Sequence, residues 1–203
     1  MRTVDKTARL DKSNCTNCNI CVRVCPVTCI TAVKSGRRTT ATIIDEDNCQ
    51  ACTICATRCP EHAITMIKRD RPLVVGITVD EVTDEINDIC RRAHMYPDQV
   101  VCFCHRVRAK EVVAAILGGA ETPEAVSQQT GARTGCGVLC ITGIMRTLRA
   151  AGLQLTEAPG WQWYNMPTTI WTISPEIAKK YRLYYVDEDR KAIDKMFPGG
   201  EEQ

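Results

Sequence analysis

Cys15, Cys18, Cys21 and Cys25 are followed by Pro26, and Cys49, Cys52, Cys55 and Cys59 by Pro60. The run C-x2-C-x2-C-x3-C-P therefore occurs twice, with corresponding cysteines 34 residues apart. Thiolates are soft ligands, suited to iron–sulfur clusters and to zinc. A cubane of four irons needs four thiolates in tetrahedral array, and three closely spaced cysteines can wrap three corners from one short loop. The fourth corner faces away from that loop, so its ligand must come from elsewhere in the chain. Structural zinc would use two C-x2-C pairs and leave the third cysteine of each triplet superfluous. Disulfides call for export, and Met1 to Leu10 is charged and lacks an apolar h-region.

The elements that must position these cysteines also repeat. Leu10-Asp11 precedes the first run and Ile44-Asp45 the second, with Asn14 and Asn48 beside the leading cysteines. Ile30 to Lys34 and Ile64 to Lys68 follow the prolines and read as strands, as does Thr40 to Ile44 beyond a turn at Ser35 to Arg38. Each repeat is thus strand, cysteine loop, short helix, strand. Two such repeats about a pseudo-twofold axis resemble the two-cluster bacterial ferredoxin fold over about residues 4–69. The resemblance implies crossed ligation. Cys15, Cys18, Cys21 and Cys59 would hold one [4Fe–4S] cluster, and Cys49, Cys52, Cys55 and Cys25 the other. Cys29, whose counterpart is Ala63, reads as a small buried residue, and His62 as a surface residue.

A second constellation comprises Cys102, Cys104, Cys136 and Cys140. Between its halves, Ala109 to Leu117 and Thr122 to Thr130 read as helices, the second opened by an N-cap threonine and a first-turn proline. Gly131 to Gly137 is a glycine-rich loop, and Val138 to Ala151 reads as helical. The phrases VCFCHRV, AILGGAETPE and TGARTGCG carry a resemblance to the bacterioferritin-associated ferredoxin domain, over about residues 100–152. That resemblance implies a [2Fe–2S] cluster on the four cysteines. The family's second pair is usually C-x2-C, whereas Cys136 and Cys140 are C-x3-C. Four thiolates also admit zinc, and His105 is the nearby alternative ligand.

Lys68 to Pro72 reads as a charged linker, Leu73 to Val79 as a strand, and Asp80 to Met95 as an amphipathic helix. Its apolar face is Val82, Ile86, Ile89, Cys90 and Ala93, so Cys90 is core and His94 a residue near the last turn. The expected class is α+β: a pseudo-twofold (βαβ)2 domain over residues 1–70, a strand-helix connector over 71–99, a small mainly helical [2Fe–2S] domain over 100–152, and a mixed extension over 153–203. That extension holds all three tryptophans, Trp161, Trp163 and Trp171. They are divided between packing on the module and docking a partner.

The chain has 203 residues, 14 cysteines and a formal net charge of +2. Near-neutral charge excludes the basic field of a nucleic-acid binder, and no run approaches the ~20 apolar residues of a membrane span. A reducing cytoplasm is the expected setting. Residues 1–70 carry 11 Lys or Arg against 7 Asp or Glu, unlike a plainly acidic mobile carrier. No phosphate loop, dinucleotide fingerprint or nucleophile motif occurs, so no catalytic residue is assigned. The expectation is an electron-transfer subunit, relaying electrons through two [4Fe–4S] clusters and one [2Fe–2S] cluster within a larger oxidoreductase whose partner subunit holds a flavin or metal. A redox or iron-responsive regulator and a free soluble carrier are the alternatives.

Overall fold

The computed structural model describes residues 1–35, 38–154 and 169–197. The first repeat comprises β1 (Arg2–Leu10), α1 (Ile20–Val24) and β2 (Ile30–Ser35). The second comprises β3 (Arg38–Ile44), α2 (Ile54–Arg58) and β4 (Ile64–Val75). Each outer strand pairs antiparallel with the other repeat: β1 with β4, and β2 with β3. The pseudo-twofold arrangement follows directly. Side chains from both repeats close one core, in which Ala8, Val27, Ile30 and Ile64 pack among Cys21, Cys25, Cys29, Cys49 and Cys55.

The charged stretch expected as a linker is strand instead. β4 runs through Lys68 to Pro72, and Lys6 pairs with Lys68 while Val4 pairs with Leu73. The four residues Arg69 to Pro72 thus face Asp5 alone, in a bulge. A bulge tolerates the missing N–H of Pro72 and leaves Asp70 and Arg71 facing water, while Arg69 turns back to donate to the Lys6, Asp47 and Cys49 carbonyls. Beyond it Leu73, Val74 and Val75 pair with Val4, Thr3 and Arg2, so the strand expected over Leu73 to Val79 ends at Val75.

The second unit is built on α3 (Asp84–Arg92), β5 (Val100–Cys102), β6 (Val107–Arg108), α4 (Ala109–Leu117), α5 (Pro123–Thr130) and α6 (Ile141–Ala150). Local chemistry sets the helix starts. The Thr83 hydroxyl accepts from the Ile86 N–H at 3.3 Å, and the Thr122 hydroxyl from the Ala125 N–H at 3.1 Å. These bonds satisfy donors that a helix leaves unpaired in its first turn. Gly131 ends α5 in the left-handed region, at φ 78°. Ile86, Ile89, Val112, Val113, Val126, Ile144 and Leu148 interlock as the core, and Cys90 lies within it, 1% exposed. Val82, expected on the same face, lies outside that core and is 40% exposed.

The described part of the extension contains α7 (Pro175–Lys180) and α8 (Val186–Met196). It folds back on the second unit: Trp171 stacks on His94 with ring centroids 3.7 Å apart, and Phe197 lies against Tyr96 at 4.7 Å. His94 is therefore a packing platform for the extension. The strand-like reading of Trp161 to Tyr164 falls outside the described residues.

Candidate iron–sulfur sites

The two cysteine runs adopt one backbone course. Asn17, Asn19 and Thr28 have positive φ, and so do Ala51, Thr53 and His62, each 34 residues further on. Non-glycine residues enter the left-handed region at a cost, and they concentrate where a site demands it. Each loop is anchored at its start by an aspartate. Asp11 accepts from the Asn14 amide nitrogen at 3.1 Å, and Asp45 from that of Asn48 at 2.6 Å. α1 and α2 are five residues each and end at Cys25 and Cys59, which take extended backbone ahead of the prolines. That ending carries each fourth cysteine away from its own triplet.

Two small cavities result. One is lined by Cys15, Cys18, Cys21 and Cys59, with Leu10, Ile20 and Ile64. The other is lined by Cys25, Cys49, Cys52 and Cys55, with Val27, Ile30 and Met66. Each holds one triplet and the fourth cysteine of the other run. The donor chemistry fits a cubane: the first cavity offers four thiols, the second four and Cys29 besides, within largely apolar walls. Backbone N–H groups reach the sulfurs: Ala8 donates to Cys49 Sγ and Ala63 to Cys59 Sγ, both at 3.3 Å. Such donors stabilise thiolate charge.

Cys29 is buried beside the second cavity, its Sγ 3.4 Å from Cys25 Sγ. Its own thiol is held protonated, chiefly by its hydrogen bonds to Cys25 and Cys49. Correspondingly Cys49 is lowered to about 5 and Cys25 to about 7, each chiefly through the bond from Cys29. Burial instead pushes Cys52 up to about 11 and Cys55 up to about 12. His62 is exposed, as its reading as a surface residue requires.

The third constellation also converges. Cys102 ends β5, Cys140 sits at the N-cap of α6, and both are 2% exposed. Cys104 and Cys136 are exposed in the two connecting loops, where the Cys136 N–H donates to Cys104 Sγ at 3.4 Å. Cys102 is lowered to about 5, first by the Cys140 thiol and further by backbone N–H groups of Arg133 and His105. Cys136 is lowered by the N–H groups of Val138 and Leu139. Gly135 is required by close approach, because a Cβ there would lie 2.4 Å from Cys104 Cβ. The helix expected from Val138 begins at Ile141. Residues 137–140 are spent in a turn, with Gly137 at φ 78° and the Ile141 N–H on the Val138 carbonyl. That turn lies wholly within the C-x3-C pair, between Cys136 and the N-cap Cys140. His105 Nε2 is buried with no hydrogen-bond partner among the described residues.

The seam between the units has no signature in the residue pattern. The Gln50 amide nitrogen donates to the carbonyls of Ser127 at 3.1 Å and Gln128 at 2.7 Å. The Gln128 amide nitrogen donates to the Val27 carbonyl at 2.7 Å, and Arg133 reaches the Pro26 carbonyl at 3.5 Å. The seam therefore abuts the loops carrying Cys25 and Cys49. Polar side chains outside any periodic pattern carry these bonds, which is why spacing could not reveal them. No disulfide joins any of the fourteen cysteines, all of which lie among the described residues.

Two family models match the chain. Residues 6–66 match a 4Fe-4S dicluster domain, and residues 100–150 match a BFD-like [2Fe-2S] binding domain. The chain is a fusion of these two modules, an iron–sulfur protein with an electron-transfer role. No curated protein and no solved structure matches it. No helix among the described residues is long and apolar enough to cross a membrane.

Proposed function

We propose that the chain is a three-centre electron relay serving as the iron–sulfur subunit of a larger oxidoreductase. Two [4Fe–4S] clusters would be held by Cys15, Cys18, Cys21 and Cys59, and by Cys49, Cys52, Cys55 and Cys25. One [2Fe–2S] cluster would be held by Cys102, Cys104, Cys136 and Cys140. Clusters fully capped by thiolates take up and release single electrons, and their protein surroundings set the potential. The observation that carries this reading is the pair of cavities, each uniting one triplet with the other run's fourth cysteine.

The order of the relay follows from the seam. The second cubane site faces the [2Fe–2S] unit through Gln50 and Val27, while the first cubane site lies beyond it. Cys18 in the first site and Cys104 and Cys136 in the third are exposed, so electrons would enter and leave at the two ends. Apolar groups stand ready for a partner. Phe103, Val138 and Leu139 are exposed around the third site, and Leu183, Tyr184 and Tyr185 on the extension. Aromatic side chains are common anchors at interfaces. Cysteines kept for cluster ligation and not joined in disulfides suit a reducing cytoplasm.

The exposure of Cys104 and Cys136 supports a second reading, in which the third centre senses oxidation instead of passing electrons. Anaerobic purification from the native source tests both. A relay subunit carries ten irons and no stoichiometric zinc, and elutes in a complex larger than its own 22.6 kDa. Eight irons with one zinc would remove the [2Fe–2S] assignment. Selective loss of two irons in air, with the cubanes intact, would favour the sensor.

A further inference from the structure

Two arginines lie in the seam between the second and third sites: Arg133, which is paired with Glu124, and Arg2, which has no carboxylate partner among the described ion pairs. Arg2 begins β1, and its Nη2 donates to the Gln50 side-chain oxygen at 3.2 Å and to the Thr134 hydroxyl at 3.1 Å. Gln50 directly follows Cys49, and Thr134 lies two residues before Cys136. Each anchor therefore belongs to a different ligand loop. Gln50 is 2% exposed and Thr134 3% exposed, so the guanidinium is clamped by groups removed from water. The Gly137 turn also approaches the start of α2: a Cβ built on Gly137 would lie 3.4 Å from Ile54 Cδ1. Arg2 Nε is buried and has no hydrogen-bond partner among the described residues, leaving a donor for a ligand or sulfur that the protein atoms do not supply. Burial lowers the Arg2 pKa, while attraction to the Cys52 and Cys102 thiolates opposes that shift. Its charge is felt at both sites.

We propose that Arg2 is a positioning residue shared by two centres: held by Gln50 and Thr134, it raises the reduction potentials of the second [4Fe–4S] cluster and the [2Fe–2S] cluster together and leaves the first cluster unaffected. The inference rests on the ligand assignment above. Reduction adds one negative charge to a centre, and a held, half-buried cation between two centres stabilises that charge. The step it serves moves one electron between the two centres: one is oxidised by one electron, the other is reduced by one, and no atom is transferred. Because a shared cation lifts both potentials, the driving force between them changes less than either potential alone. Both centres stay aligned.

The test uses the full chain, prepared anaerobically, with iron content and spectra of the unaltered protein read first. Those measurements test the ligand assignment by themselves: fewer than ten irons, or no [2Fe–2S] signal, counts against that assignment whatever Arg2 does. Redox titration followed by electron paramagnetic resonance then compares Arg2→Met and Arg2→Lys. Running the titrations in Cys18→Ala and Cys52→Ala backgrounds leaves one cubane visible at a time. Arg2→Met is expected to lower the reduction equilibrium constant about tenfold at both the second cubane and the [2Fe–2S] centre, which is about 59 mV for one electron. Arg2→Lys should recover most of that loss, since it keeps the charge. Should Arg2→Met not fold, Thr134→Asp places a carboxylate against the guanidinium and should lower the same two potentials. A shift at only one centre, an equal shift at the first cubane, or Arg2→Lys behaving like Arg2→Met overturns the proposal.

Discussion

The Arg133 guanidinium donates to the Glu124 carboxylate at 2.9 Å, with the two side chains only 6% and 3% exposed. The pair lies in the seam, where Arg133 also reaches the Pro26 carbonyl beside Cys25. Removing one partner of a buried pair leaves the other's charge without its counter-charge in a site removed from water. Glu124→Ala should therefore destabilise the chain by about 3–5 kcal/mol, read as a lower denaturant midpoint. Replacing both residues with apolar ones of similar volume should cost much less. Equal costs for the single and double changes would show that the charge is not what matters.

Crossed ligation makes a prediction that no ordinary sequence neighbour would share. Cys25→Ala should damage the cluster of Cys49, Cys52 and Cys55, since Cys25 lines their cavity. Loss confined to the cluster of Cys15, Cys18 and Cys21 would refute the assignment. Cys29→Ala and Cys90→Ala serve as controls and should leave iron content unchanged. Cys29 holds its proton against Cys25 and Cys49, and Cys90 is a core thiol pushed up to about 11 by burial.

Asp88 supplies a pH dependence. Its carboxylate is held below the ordinary value chiefly by the hydrogen bond from Arg91, with Arg92 adding to it. A depressed folded value means stabilisation that is present above the ordinary carboxylate range and lost as pH falls through the depressed value. Asp88→Asn should cost a few tenths of a kcal/mol at neutral pH, because the pair is exposed and screened. Thermal melts of variant and parent should converge below the pKa of Asp88. A gap that persists in strong acid would assign the effect to packing.

Removing residues 153–203 should leave the clusters formed and abolish co-purification with the proposed oxidoreductase partner. The exposed Leu183, Tyr184 and Tyr185 motivate this expectation. The same truncation strips Trp171 from His94 and Phe197 from Tyr96, so some loss of thermal stability should accompany it. Iron analysis and gel filtration of the truncated chain read the two effects separately. Loss of the [2Fe–2S] signal would make the extension part of that centre's fold.

Much of this protein was legible before any coordinates. Spacing alone identified the repeated thiolate runs, and Thr122-Pro123 with Gly131 marked the bounds of α5, because capping and turn chemistry act over a few residues. Cys90 was recognisable as core from helical periodicity. Longer-range matters needed the fold. The strand pairing that carries β4 through Lys68 to Pro72 depends on β1, some sixty residues earlier, and local composition pointed to a linker. The start of α6 was displaced to Ile141 because the turn before it holds N–H groups toward Cys136. His94 reads as a helix-end residue until Trp171 is seen stacked on it. Sequence thus determined where the thiol runs lie and how their loops are built, since ligand chemistry and short-range backbone geometry are written locally. Tertiary structure alone decided that Arg2, Gln50 and Thr134 meet between two of the sites, because a seam between modules is fixed by complementary surfaces and leaves no period in the chain.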